Sequence, residues 1–180
     1  NVWFIGTANH DETTMGFADK TYDRAHVQEL PSRRDPFDPS SVSPRAPVSL
    51  AALSKLFDDA CEHRKSDADI ASYYLTSELA EALADRFGVA WGNRLDKQLR
   101  RFVPVVIDSG GSLGEAVDHL LSTKILRKVR DRHDVSLDDV EALYDRLLES
   151  WGGLVDDGSD PSVSLGILEI EKRRLSGGLG

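Results

Sequence analysis

The amino-acid sequence predicts a mainly α-helical protein with a short strand at its N-terminal end. Residues 2–5 form an apolar run that is too short for a helix and ends at Gly6, which is typical of a strand buried on both faces. Five prolines fall within residues 31–47, a density that excludes the interior of helices and sheets. From residue 50 onward, apolar residues recur with a helical period. We therefore expect three parts, at residues 1–30, 31–49 and 50–175.

Helical periodicity recurs along most of the chain. In these segments apolar side chains return every three or four residues, so that one face of each helix is apolar and the other polar. Leu50, Leu53 and Leu56 show this pattern clearly. The last segment mixes strand-like alternation with a charged, helix-forming end, and we interpret it as a helix. The predicted helices span residues 15–24, 50–61, 77–87, 93–103, 136–151 and 162–175, and one more begins at residue 113.

Several residues predict where these helices begin and end. Ser49 is placed to cap the helix that starts at residue 50, and Thr76 or Ser77 the next one. Gly88 stands where a left-handed residue commonly ends a helix. Pro104 is expected to stop the helix before it, because proline has no N–H to donate.

A capping box is predicted at Ser112 and Glu115, each side chain satisfying an unpaired amide at a helix start. The helix that follows ends in a basic run. Its members are Lys124, Arg127, Lys128, Arg130 and Arg132. These charges could follow a phosphate backbone, but no aromatic residues alternate with them. We interpret the run as the solvated side and end of an amphipathic helix, where positive charge is favourable.

Composition limits the class of protein. The 180 residues are 40% apolar, enough for a core, and carry 31 acidic against 22 basic residues. A net charge of −9 disfavours general binding to nucleic acid or anionic lipid. Cys61 is alone, which is consistent with a reducing cytoplasm. No apolar run is long enough to predict a membrane span, and the N-terminal residues lack the layout of a signal peptide.

Asn9 follows the predicted strand directly. Polar residues at the ends of such strands lie at the rim of a sheet, where α/β proteins bind their ligands. The neighbouring residues 10–12, His-Asp-Glu, offer metal-ligand chemistry. Adjacent residues in one turn rarely converge on a single ion, however, so we interpret them as a solvated loop and predict no metal site.

Two groups of residues resemble a known family. The segment Trp-Phe-Ile-Gly-Thr-Ala-Asn at residues 3–9, with Asp23 and Arg24, resembles the sensor 1 and arginine-finger regions of AAA+ ATPases. It is similar in particular to the McrB-like branch, the nucleotide-driven motors of restriction and phage-defence systems. Residues 92–94, 101–103, 115–118 and 124–126 resemble the helical lid of that branch. The resemblance covers residues 2–30 and 90–130.

The resemblance implies roles for four residues. Asn9 would be sensor 1, an amide that orients the attacking water and responds to the γ-phosphate. Arg24 would be the arginine finger, which reaches into the neighbouring subunit's active site, and Lys20 is a second candidate at the same edge. Arg94 would be sensor 2, a lid arginine that contacts the nucleotide of its own subunit. McrB-like proteins usually carry several adjacent arginines where this chain has one, so the register of the finger stays open.

Each of these residues also has a structural interpretation. Asn9 is equally typical of a turn after a strand. Arg24 fits an exposed surface arginine, and Arg94 fits a charged, solvated helix face.

The resemblance also implies what the whole protein does. The sequence contains no phosphate loop. It also contains no apolar run ending in Asp-Glu ahead of the predicted sensor 1 strand. Residues 1–30 would then be the end of an α/β nucleotide-binding core, and residues 50–175 its lid. The longer motor would hydrolyse ATP or GTP with Mg²⁺ as a ring of identical subunits, a hexamer, and drive a nuclease or other DNA-acting partner. The 180 residues alone are expected to be inactive. The alternative is a non-enzymatic helical interaction or regulatory domain.

Overall fold

The computed structural model describes residues 4–7, 19–28, 46–130 and 132–177. This part of the chain is mainly helical, as the sequence predicts, and contains no strand. Its α-helices are α1 (Asp19–Arg24), α2 (Leu50–His63), α3 (Lys65–Tyr73), α4 (Ala80–Phe87), α5 (Asn93–Asp108), α6 (Leu113–Leu120), α7 (Leu137–Trp151) and α8 (Ser162–Ser176). A first π turn spans Tyr74–Glu78, a second π turn Leu121–Ile125, and a 3₁₀ turn Leu126–Lys128.

Helix α5 lies at the centre of one half of the bundle, where it packs against α2, α3 and α6. In the other half, α8 packs against α7, α6 and the second π turn. One apolar core joins the two halves. Its largest fully buried side chains are Phe87, Leu75, Leu79, Leu99, Leu120, Leu121, Ile125, Leu143, Leu147, Leu168, Val103 and Val117.

The predicted caps are largely confirmed. The Ser49 hydroxyl accepts the Ala52 N–H at 3.1 Å. The capping box is complete, since the Ser112 hydroxyl accepts the Glu115 N–H at 3.1 Å and the Glu115 carboxylate accepts the Ser112 N–H at 2.8 Å. Gly88 ends α4 with φ 60°, in the left-handed region that favours glycine.

Helix α8 is capped by a residue from another helix. Pro161 precedes α8 and offers no side-chain cap. Instead, the buried Asp118 carboxylate of α6 accepts the Val163 N–H at 3.0 Å and the Ser164 N–H at 2.9 Å. A negative charge at a helix N-terminus also interacts favourably with the helix dipole. Asp118 therefore ties the start of α8 to α6.

The predicted stop at Pro104 is wrong. Helix α5 runs through Pro104 to Asp108, and Pro104 is buried inside it. A proline within a helix removes one hydrogen bond and costs roughly 3 kcal/mol. The helix continues because packing extends across the proline: Leu99 and Val103 before it are fully buried, and Ile107 after it packs against the core.

The predicted cap at Thr76 or Ser77 is also wrong. The chain is helical before both residues, because α3 leads directly into the first π turn. The Thr76 hydroxyl donates to the Ser72 carbonyl at 2.7 Å, and the Ser77 hydroxyl donates to the Tyr73 carbonyl. These hydroxyls bond back to the preceding turn instead of capping a new helix.

The predicted buried strand is wrong for the residues that the structure describes. Phe4 and Ile5 are in no strand, and their side chains are 91% and 96% exposed. A strand needs a neighbour to pair its backbone N–H and C=O groups, and the described residues provide none. Residues 8–18 and 29–45 lie outside the described part, including Asn9, residues 10–12 and most of the predicted connector.

Candidate functional site

Helix α1 carries two of the four predicted site residues. Lys20 and Arg24 are one helical turn apart, so they lie on the same face, and both side chains are exposed. Neither forms an ion pair with another described residue. The helix packs against the second π turn of the bundle. The predicted finger therefore lies on a short helix that is attached to the helical bundle.

The attachment centres on Lys124 of the second π turn. Its side chain is buried, with a relative exposure of 4%. The Lys124 Nζ donates to the main-chain carbonyl of Tyr22 at 2.6 Å and to that of Ala25. Tyr22 lies in the last turn of α1, where carbonyl groups lack helical partners. The ammonium group therefore binds the C-terminal end of α1.

Aromatic contacts extend this attachment. The Arg127 guanidinium lies 4.0 Å above the centre of the Tyr22 ring. His26 stacks on Phe102 of α5, with ring centres 5.0 Å apart, and Phe102 stacks on His119 of α6 at 5.2 Å. We call this set of contacts the α1 junction. Its residues are Tyr22, Ala25, His26, Phe102, His119, Lys124 and Arg127.

The surroundings of both histidines in the α1 junction favour the neutral form of the imidazole. Burial, followed by the charges of Lys124 and His119, lowers the pKa of His26. Burial, followed by the charge of Lys124, lowers the pKa of His119, and Asp118 partly opposes this. A cleft of about 390 Å³, which Glu115 also lines, opens beside the stacked rings and gives protons access to them.

The α1 junction is expected to weaken in acid. The folded protein binds a proton at each of these histidines more weakly than the unfolded chain does. The free energy of unfolding is therefore highest above about pH 6.5 and falls as the pH drops through the lowered pKa values. Histidine NMR titrations and urea unfolding from about pH 7.5 to about pH 5 measure both effects. His26→Phe keeps a ring on Phe102 without a titrating group, so it should flatten the dependence. An equal dependence in His26→Phe would contradict the assignment.

Arg94 lies apart from the α1 junction. It is exposed in the first turn of α5, eight residues before Phe102, or about 12 Å along the helix axis. The structure therefore brings Lys20 and Arg24 together but not Arg94 with them. Asn9 lies outside the described residues.

The interpretation of the basic run as solvated charge is wrong for Lys124, while Arg132 is partly exposed. Lys124 is buried, and Arg132 donates to the Phe87 carbonyl while pairing with Asp134 at 2.5 Å. The contact between Lys124 and α1 is not predicted by the sequence interpretation above, although the sequence carries a signal of the burial of Lys124. Lys124 follows Val117 and Leu120 at helical spacing, on the buried face of the helix.

In comparisons with models of protein families, with curated proteins and with solved structures, the chain shows no significant match. None of the helices described here has the length and apolar character needed to cross a membrane. In the described ranges, no group of three or more His, Cys, Asp or Glu side chains is arranged to hold a metal ion.

Proposed function

We propose that this chain is the C-terminal portion of an AAA+ NTPase of the McrB-like type. It would supply sensor 1, the arginine finger and the helical lid of a ring that hydrolyses ATP or GTP. The observation that carries the proposal is Arg24 itself. It is an exposed guanidinium without an ion-pair partner in the described structure, on a helix whose last turn is fastened to a folded bundle.

Exposure alone does not distinguish Arg24 from other arginines. Arg101 and Arg173 are also exposed and form no ion pair with described residues. Their helices, however, belong to the bundle, whereas α1 is attached at its edge through the α1 junction. A finger that acts on a neighbouring subunit must project from its own subunit yet keep a defined position. Arg24 meets both requirements.

The chemistry of the proposed reaction suits these residues. Phosphoryl transfer depends mainly on positioning and on stabilising negative charge as it develops. The Arg24 guanidinium is always charged, and its planar fork matches phosphate oxygens. Lys20, on the same face of α1, would add a second positive charge at that edge. Asn9 can donate and accept hydrogen bonds without adding charge, which suits the orientation of a water molecule.

The nucleotide and Mg²⁺ would be bound largely by residues outside these 180, because the sequence contains no phosphate loop. This chain offers exposed cations: Arg24 for the neighbouring subunit's nucleotide and Arg94 for its own. When bound, Mg²⁺ neutralises charge on the phosphates. The partners would be identical subunits in a hexameric ring and a DNA-acting protein such as a nuclease, in the cytoplasm. The nucleotide base and the partner stay open.

The assignment of Asn9 can be tested in the full-length protein. We expect Asn9→Ala to lower turnover by about 10²- to 10³-fold, because it removes one oriented hydrogen bond in the transition state. Nucleotide affinity should change little, since the contact forms mainly in the transition state. Steady-state kinetics and equilibrium binding measure the two quantities. Gln28→Ala, which removes an exposed amide from the same segment, is the control. Turnover within about twofold of the parent would show that Asn9 is a turn residue.

A second candidate, a non-enzymatic interaction domain, has one observation in its favour. The apolar face of α2 is only partly covered in the described structure: Leu50 is 46% and Leu56 58% exposed, and Val48 before the helix is 65% exposed. Exposed apolar side chains at helical spacing are typical of surfaces that bind another protein. This candidate predicts that Asn9→Ala and Arg24→Ala leave any nucleotide hydrolysis by the full-length protein unchanged.

A further inference from the structure

We propose that Lys124 is a positioning residue for Arg24. It fastens the last turn of α1 to the helical lid, so that the lid and the finger move as one unit. This inference rests on the proposed function, because it assigns a mechanical role to the lid of that same motor. It adds a residue that the resemblance to the family does not mark as functional.

The first support is the burial of a charge. Removing an ammonium group from water costs several kcal/mol unless hydrogen bonds replace the lost hydration. The Lys124 Nζ donates to two main-chain carbonyls, those of Tyr22 and Ala25, which belong to the α1 segment. Detaching α1 would break these two hydrogen bonds to a charged group that is buried when α1 is attached. The lid therefore favours the attached position of α1.

The second support is the number of lid elements involved. Lys124 belongs to the second π turn, Arg127 to the 3₁₀ turn that follows, and Phe102 to α5. Their contacts reach residues 22, 25 and 26, which lie on both sides of Arg24. Contacts from three elements of the bundle therefore hold the last turn of α1 and the two residues that follow it.

The third support is the local backbone around Lys124. In the second π turn the Leu126 N–H bonds to the Leu121 carbonyl, five residues back instead of four. Such turns are rare and occur frequently at functional sites. Here the second π turn packs against α1.

The consequence is a link between two nucleotide sites. In the proposed ring, Arg94 on α5 responds to the nucleotide of its own subunit, and α5 also carries Phe102 of the α1 junction. A movement of the lid would then carry α1 with it and displace Arg24. Because a misplacement of about 1 Å can cost about 10² in rate, lid position in one subunit would control hydrolysis in the next.

Two measurements on the full-length ring test this inference. The first is the distance between spin labels on Thr21→Cys in α1 and Lys97→Cys in α5, with labelled subunits diluted among unlabelled ones. The second is steady-state kinetics. We expect Lys124→Met to broaden a narrow distance distribution and to lower kcat by about 10- to 100-fold, with KM nearly unchanged. Lys65→Met, which removes an exposed lysine from the start of α3, is the matched control. If Lys124→Met does not fold, Tyr22→Leu removes the Arg127 contact from the α1 side and leaves the lid's own core intact.

The outcomes separate this inference from the proposed function. If the distance distribution stays narrow, or if kcat is unchanged, while Arg24→Ala is inactive, Lys124 does not position the finger and the proposed function stands. If Arg24→Ala is as active as the parent, the finger assignment fails and the role of Lys124 fails with it. If Lys124→Met broadens the distance distribution and lowers kcat, and Arg24→Ala is inactive, the results support both the positioning role of Lys124 and the proposed function.

Discussion

Replacing Arg24 with alanine in the full-length protein is expected to lower nucleotide hydrolysis by about 10³- to 10⁵-fold, the range that an arginine supplied in trans contributes. The loss should fall on kcat, because the guanidinium would stabilise charge that develops in the transition state. Each subunit should still bind nucleotide, since Arg24 would contact only the neighbour's site. Turnover and equilibrium nucleotide binding measure these two expectations.

Two further variants sharpen this result. Arg173→Ala removes an exposed arginine near the end of α8 that has no described ion pair, so it should leave turnover unchanged. Arg24→Lys keeps the charge but loses the planar fork, so its activity should lie between those of the parent and the alanine variant. Should Arg24→Ala retain full turnover, Lys20 becomes the next candidate.

A large effect on stability is expected from a substitution of Asp118. Asp118→Ala removes a buried carboxylate that accepts two N–H groups at the start of α8, and Pro161 cannot replace it. Hydrogen bonds to charged groups contribute about 1.5–3 kcal/mol and a lost cap about 1 kcal/mol. We therefore expect the free energy of unfolding to fall by about 2–4 kcal/mol.

Urea unfolding of the 180-residue chain measures this loss. Asp118→Asn keeps an acceptor oxygen but loses the charge, so it should cost less than Asp118→Ala. The control is Asp156→Ala, which removes an exposed carboxylate from the loop before α8. A loss below about 0.5 kcal/mol, typical of surface substitutions, would mean that α8 does not depend on the Asp118 cap.

The sequence predicts most of the helices because their buried faces carry large apolar residues. In α7, for example, Leu143 and Leu147 recur at helical spacing and are buried. Helix α3 escapes prediction because its buried face is made of Ala68, Ala71 and Ser72, small residues that give little hydrophobic signal. The end of α5 also escapes prediction, because packing beyond Pro104 outweighs a local rule that favours a stop.

The candidate site is predictable only in part. The sequence places Lys20 and Arg24 on one short helix, because their spacing of four residues is local. The α1 junction joins residues separated by about a hundred positions. Lys124 binds main-chain carbonyls there, and every residue type has the same main-chain carbonyl, so the sequence cannot reveal this contact. Only the position of Lys124 on an apolar helical face hinted that it is buried.

Mixed rings test the central claim most directly. Subunits that carry Arg24→Ala are combined with subunits whose own phosphate loop is disabled, and hydrolysis by the co-assembled rings is measured. If Arg24 acts across the subunit boundary, some interfaces pair an intact pocket with an intact arginine, and activity should return well above that of either variant alone. If the rings demonstrably co-assemble and no activity returns, Arg24 is not an arginine finger.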